Sequence, residues 1–254
     1  MMKSLFIWLR IEILRFVREP ISLFFTLIFP IILIYIFGDS FGSGISEDGI
    51  SYYNSLVAID VSFLIVNFTL MGVGNDVANQ KENGIEESMA MLPVSGIFRT
   101  VIQSIAYLLL LFLSLVMLTA FVFNVYPDVR FQGNAFLFVL FMIFGYFLFV
   151  NLAKFLAAFP FSARTLQLIN STVFFILLFC SGIVIQKESM PEGLRPMMDW
   201  SPLYILYKTL ESVWNNRLTD GQYLRASAYL LVLGAMCYLA ATLLGARSRR
   251  RQRG

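Results

Sequence analysis

The chain has 254 residues, of which 58% are hydrophobic, 16% aromatic and only 14% charged, with a formal net charge of +3. So few charges cannot solvate so much apolar surface, which excludes a soluble domain, a disordered chain, a coiled coil and a disulfide scaffold, and leaves a polytopic membrane protein. There is no His, no Gly-Lys dipeptide occurs, and both cysteines, Cys180 and Cys237, lie in apolar runs. Imidazole chemistry, His metal sites and a Walker A loop are therefore absent, and the cysteines read as packing residues.

In chain order, residues 1–19 come first. At 100° per residue, Leu5, Phe6, Leu9, Ile13, Phe16 and Val17 share one arc, and Lys3, Arg10, Glu12, Arg15, Arg18 and Glu19 the other. This is an interfacial amphipathic helix with Trp8 as an anchor, and the Glu19-Pro20 step breaks it. Basic residues recur along it and no small-residue cleavage site follows an apolar run, so it is not a signal peptide.

Six apolar runs then have the length that a bilayer core requires. They are Ile21 to Phe37, with a kink expected at Pro30; Tyr52 to Val73, interrupted by Asp60 and Asn67; Ile97 to Phe123; Ala135 to Phe155; Leu166 to Ile185; and Tyr223 to Leu244. A polar segment of helical character, 75–92, follows the second run and stops at Pro93. Before the last run, 186–222 is partly apolar. Its piece Leu203 to Val213 is too short to span and reads as part of a re-entrant or interfacial helical hairpin. The expected fold is an all-α membrane protein: an interfacial helix, six transmembrane helices, and a re-entrant extracellular hairpin before the sixth.

An even number of spans puts both termini on one side. With that side inside, cytoplasmic segments hold thirteen of the 19 Lys and Arg, leaving Arg130, Lys187, Arg195, Lys208, Arg217 and Arg225 outside. Basic excess in short loops sets orientation, so both termini are expected in the cytoplasm. The basic tail 246–254 reads as a cytoplasmic anchor rather than a nucleic-acid arm, because it follows a hydrophobic span directly.

Asp60 is the one acidic residue set well inside a span. A lone carboxylate there costs at least roughly 2.5–3.5 kcal/mol, so it faces a cavity, a partner subunit or a cation, or is protonated, or else sits close to the outer interface. Asn67 lies two helical turns on, near the same face. Asn151 and Lys154 are expected to snorkel to the cytoplasmic interface, and Ala241 with Gly245 forms a small-xxx-small packing pair.

Taken together, the order of elements is distinctive. Arg18-Glu19-Pro20 leads into Phe29-Pro30 and Phe37-Gly38. Glu82-Asn83-Gly84-Ile85-Glu86-Glu87 is followed by Met91-Leu92-Pro93-Val94-Ser95, and Met190-Pro191 by Trp200-Ser201-Pro202-Leu203-Tyr204. Across essentially the whole chain this resembles the transmembrane (permease) subunit of ABC-2 type transporters, of the type V exporter kind. Ile85 and Asn83 depart from the family's usual Thr and acidic residue.

The resemblance implies half of a transport path, with a second permease subunit, identical or different, and separate ATP-binding cassette ATPase subunits. No cofactor belongs to this chain; ATP and Mg would be bound by the ATPase. Residues 75–92 would form the coupling helix that docks on it, through Lys81, Glu82, Gly84, Ile85, Glu86 and Glu87, with Arg18 and Glu19 nearby. The other reading of those charges is a solvated loop. Asp60 and Asn67 would face the translocation path or the seam between permeases. The implied cargo is an amphiphile or hydrophobe such as a drug, antibiotic, lipid or glycoconjugate, exported across a bacterial inner membrane.

An ATP-independent transporter or channel is the alternative function; the hydropathy pattern carries no inverted repeat in its favour. An intramembrane enzyme would need a nucleophile with a base, or a metal cluster, and the sequence has neither.

Overall fold

A computed structural model of the chain describes residues 7, 9–11, 13, 14, 18, 24, 28–41, 52–84, 96–127, 129–184, 190–193 and 195–251. Every regular element among the described residues is a helix. Beyond the fragment at residues 7–14 the elements run α1 (Phe29–Phe41), α2 (Tyr52–Val66), a π-helical segment (Asn67–Gly74), α3 (Asn75–Glu82), α4 (Gly96–Val125), α5 (Ala135–Ala157), α6 (Ala163–Phe179), α7 (Arg195–Asp199), α8 (Pro202–Trp214) and α9 (Asp220–Arg251).

Four of the six expected spans stand as helices long and apolar enough to cross a membrane: Tyr53–Gln80, Val101–Val125, Ala135–Ala157 and Asp220–Gly245. The expected fifth is α6, an apolar helix of only 17 residues, because the chain turns at Cys180 to Gly182, where Gly182 takes a φ of 75°. The expected first is described from Phe29 as the 13-residue α1, and most of residues 21–27 lie outside the described residues. Pro30 is the second residue of α1 and follows the π-helical Ile28 directly, so it stands where the helix changes from π to α geometry.

The main departure from expectation concerns the second span. It does not stop at Val73 before a separate polar helix. α2, the π segment and α3 form one continuous helix from Tyr52 to Glu82. The apolar pattern ends at Val73, but nothing in Asn75-Asp76-Val77-Ala78-Asn79-Gln80 breaks a helix: there is no Gly or Pro until Gly84, whose φ of 63° closes it. The last part of the expected coupling helix, residues 85–92, lies outside the described residues.

This long helix is the core of the fold. α1, α4, α5, α6 and α8 all pack around it. Its residues Val57, Ala58, Ile65, Val66 and Leu70 are completely buried. α9 lies mainly against α5, on the outside of that bundle. Its helix runs on through Arg251, so the basic tail extends α9 instead of forming an element of its own.

α8 is held against the start of α5 by a close backbone contact. Gln132 N–H donates to the Trp214 carbonyl at 3.1 Å, and a Cβ on Gly133 would lie only 1.7 Å from the Val213 oxygen. Only Gly fits there. Trp214 seals the contact between Phe131 and Phe138, with ring centroids 4.8 and 5.5 Å away. Asn134 caps α5 by accepting from Phe136 N–H at 2.9 Å.

The N-terminal fragment is helical at residues 7, 9–11, 13 and 14, with Leu9 and Ile13 half-buried and Arg10 exposed. Ile7, Ile11 and Leu14 are exposed alongside Arg10, so burial within the chain does not set an apolar side apart from a charged one here. Asn151 is a correction. It does not snorkel but is buried, its amide donating to the Phe147 carbonyl at 2.7 Å.

Candidate coupling and transport site

The central helix carries an unusual polar load for a buried element. Ser62 and Thr69 satisfy their hydroxyls within the helix, donating to the Ala58 and Ile65 carbonyls at 2.7 Å each. Asp60 has no such recourse. It is 1% exposed, and its Oδ2 has no hydrogen-bond partner among the described residues. The structure thus encloses Asp60 within its own chain rather than presenting it on an outer face. Asn67 opens the π segment and is also buried. π segments are rare and concentrate where function requires an irregular helix.

The second polar concentration is at the other end of the same helix. Asp76 Oδ2 accepts from Gln80 Nε2 at 2.7 Å, from the Tyr107 hydroxyl at 2.9 Å and from Gln103 Nε2 at 3.3 Å. Gln103 and Tyr107 sit one turn apart on α4 and bond to each other at 3.1 Å. One carboxylate therefore ties α3 to α4 with charge-assisted bonds.

The opposite side of α3 is tied to α6. Asn170 Nδ2 donates to Asn75 Oδ1 at 3.1 Å, and Gln167 Nε2 to Asn79 Oδ1 at 3.4 Å. Glu82 Oε2 accepts from the Ala163 N–H at 2.7 Å. Ala163 is the first residue of α6, and Ser162 beside it accepts from Thr165 N–H. Glu82 therefore serves as a borrowed cap, placing negative charge on a helix N-terminus whose first donors otherwise lack partners. Gly74 lets the helices come this close: a Cβ there would lie 2.7 Å from Asn170 Nδ2.

A third group lies on α8. Glu211 is 4% exposed yet fully engaged, accepting from the Tyr207 hydroxyl and from Lys208 Nζ, each at 2.8 Å. α8 packs along α2, the part of the central helix that holds Asp60.

Of the residues singled out from sequence, Glu82 joins the α3–α6 junction through its carboxylate. Lys81 lies in α3, with its side chain outside the described residues, and Gly84 forms the turn that ends the helix. Arg18 is exposed, its N–H donating to the Leu14 carbonyl at 3.1 Å. Glu19, Ile85, Glu86 and Glu87 lie outside the described residues.

Sequence reasoning missed Asp76, Gln103, Tyr107, Asn170 and Glu211. A usable signal existed for four of them: polar residues three or four apart at one end of three apolar helices, namely Asn75/Asp76/Asn79/Gln80, Gln103/Tyr107 and Gln167/Asn170. Glu211 had a weaker one, the Lys208–Glu211 pair inside an apolar run.

A search of the curated proteins finds none that matches this chain. The ABC-2 type transporter family profile matches residues 3–215, which takes in the central helix, both of its polar ends and all of α8. This chain, a multi-pass membrane protein, belongs to the ABC-2 type transporter family as a permease component.

Proposed function

We propose that this chain is the permease subunit of an ATP-driven exporter in the bacterial cytoplasmic membrane, with both termini in the cytoplasm. It works with ATP-binding cassette ATPase subunits, which hold the ATP and Mg, and with a second permease subunit. The cargo is an amphiphilic or hydrophobic molecule.

One observation carries the reading. The central helix is unbroken from Tyr52 to Glu82, and the residues at its polar end hold two other helices. A force applied by an ATPase at residues 75–82 reaches the bundle core through one continuous helix. Asp60 and Asn67 lie along that same helix and meet the path or the permease seam when the surrounding helices part. α1 and α6 complete six crossings.

In this reading α7 and α8 re-enter from the outer side. Its support is that Leu206 lies against Gly145, ten residues into α5 and about 15 Å along its axis, while Trp214 lies at the start of α5.

The test isolates the tagged chain from native membranes and reconstitutes it in nanodiscs. An ATP-binding cassette subunit should accompany it, and the complex should hydrolyse ATP. In intact cells, with Cys180 and Cys237 replaced by Ser, an impermeant thiol reagent should label a cysteine at position 193 and not at 83. The opposite labelling, or efflux of a fluorescent amphiphile that survives ATP depletion, defeats the reading. Asp60→Asn should leave assembly intact and alter efflux, more for cationic than neutral dyes. If Asp60→Leu gains stability with efflux unchanged, Asp60 has no transport role.

A further inference from the structure

Three elements bring positive charge to one end of the bundle, the end at which α5 turns into α6. Lys154 stands in the last turn of α5, and Arg164 is the second residue of α6. Arg164 is exposed and Lys154 half-buried, and among the described residues neither has a hydrogen bond or an ion pair. Residues 129–187 contain no Asp or Glu to answer them. Glu82, which does reach this turn, is already engaged by the Ala163 N–H. Between the two cations, the turn carries Phe159 stacked on Phe161 at 5.7 Å, with Phe161 42% exposed.

α9 supplies the third element. It runs in the same direction as α5: Phe141 meets Tyr223 with ring centroids 5.5 Å apart, and farther along both helices a Cβ on Gly234 would lie 3.2 Å from Leu148 Cα. Seven residues beyond that second contact, α5 has reached Phe155 and α9 Ala241. α5 then stops at Ala157, whereas α9 continues to Arg251, roughly 12 Å farther. Four of the five residues 247–251 are Arg, and no acid follows Asp220. The apolar span of α9 ends at Gly245. The headgroup layer beyond a hydrocarbon core is about 5–7 Å thick, and positions 247 to 249 lie roughly 3–6 Å past Gly245, so the basic extension begins inside that layer. Cations beside exposed aromatic rings at this depth are the composition of a surface that meets charged lipid.

We infer that this end of the molecule binds the headgroup of an anionic phospholipid, with its phosphate held by Lys154, Arg164 and the arginines of the α9 extension and its upper acyl carbons resting on Phe161. A zwitterionic headgroup carries its own ammonium and would leave these cations uncompensated, whereas a net negative one balances them. The acidic surface of another protein is the competing occupant, and the depth of the first arginines favours lipid. The family profile ends at residue 215, short of α9, and the inference requires neither an ATPase nor a particular orientation of the chain.

The experiment incubates the full chain in detergent with equal amounts of phosphatidylglycerol and phosphatidylcholine and counts the retained lipids by native mass spectrometry. Phosphatidylglycerol should be retained several-fold more, and added salt should reduce the preference. Lys154→Gln with Arg164→Gln should lower its retention several-fold, and so should Arg247→Gln, Arg249→Gln, Arg250→Gln and Arg251→Gln together. Lys154→Arg keeps the charge and should retain the lipid, so a loss with Gln and not with Arg is not a folding defect. Arg130→Gln with Arg225→Gln removes the same charge near the starts of α5 and α9, where both side chains are exposed, and should change nothing. Equal losses from the two double variants would mean attraction to net charge alone. Equal retention of the two lipids, or an effect of the α9 arginines with none from Lys154 and Arg164, would mean that no joint site exists. Each of these results overturns the proposal. If the Lys154 and Arg164 variants keep phosphatidylglycerol but lose an ATPase that accompanies the wild-type chain, the cations face a protein and the lipid assignment fails.

Discussion

The central helix and α9 are nearly matched in length and apolar character, yet they occupy opposite environments. Of the most apolar stretch of the central helix, 89% is buried within the chain; for α9 the figure is 11%. Hydropathy alone does not separate them, since a bilayer and a protein interior are equally good solvents for Leu and Phe. Their polar residues do separate them. The central helix carries Ser55, Asp60, Ser62, Asn67, Thr69, Asn75 and Asp76, and polar side chains persist within apolar helices where neighbours or cavities shelter them. Between Tyr229 and Leu244, α9 offers only Tyr238, Cys237 and Thr242 as polar or weakly polar groups. For this chain, the apolar span with the most polar residues is the innermost one.

The largest expected effect tests that contrast directly. Leu70, on the central helix, is completely buried, and Leu239, on α9, is 58% exposed. Leu70→Ala should destabilise by about 2–5 kcal/mol through lost contacts and a cavity, whereas Leu239→Ala should stay within about 0.5 kcal/mol. Thermal unfolding in nanodiscs measures both, and equal shifts would mean that α9 is covered by protein, not lipid.

A smaller effect concerns Asp76. Asp76→Ala strips the acceptor from Tyr107 and Gln103 and should cost about 1–3 kcal/mol. Tyr107→Phe should cost less, and the double variant should fall short of the sum by at least about 0.5 kcal/mol, because the two share one bond. Strict additivity would show that the α3–α4 tie does not operate in the membrane.

Glu82 gives the smallest effect and the sharpest ambiguity. Glu82→Gln retains an acceptor for Ala163 N–H and should cost only a few tenths of a kcal/mol, whereas Glu82→Lys should cost about 0.5–2 kcal/mol by uncapping α6 and placing a cation at its N-terminus. An ATPase-docking defect seen with Lys but not Gln would follow from this local damage. A defect in both variants at unchanged stability would give Glu82 a direct part in coupling.

Much of this protein was legible in its sequence because the governing quantity is local. Hydrophobic length placed three spans to within a few residues and the start of a fourth, the absence of Gly-Lys and His excluded whole classes of chemistry, and the order of short segments pointed to the family that the profile match then showed. The failures have one physical cause. The end of an apolar run marks where a helix leaves hydrocarbon, not where it ends, so the sequence split a helix at Val73 that continues to Glu82. Asn151 was sent to the interface because its neighbours on α5 do not reveal that the buried junction around α3 lies opposite.

Sequence alone therefore determined that this chain is helical, membrane-embedded and built like an ABC-2 permease, because composition and span length depend on the solvent and not on the partner helix. Only the tertiary structure decided which span is central, that Asp76 and Glu82 join α3 to α4 and α6, and that Asp60 is enclosed rather than exposed. Those facts depend on which faces meet, and residues as far apart as Glu82 and Ala163 have no relation until packing brings them within 2.7 Å.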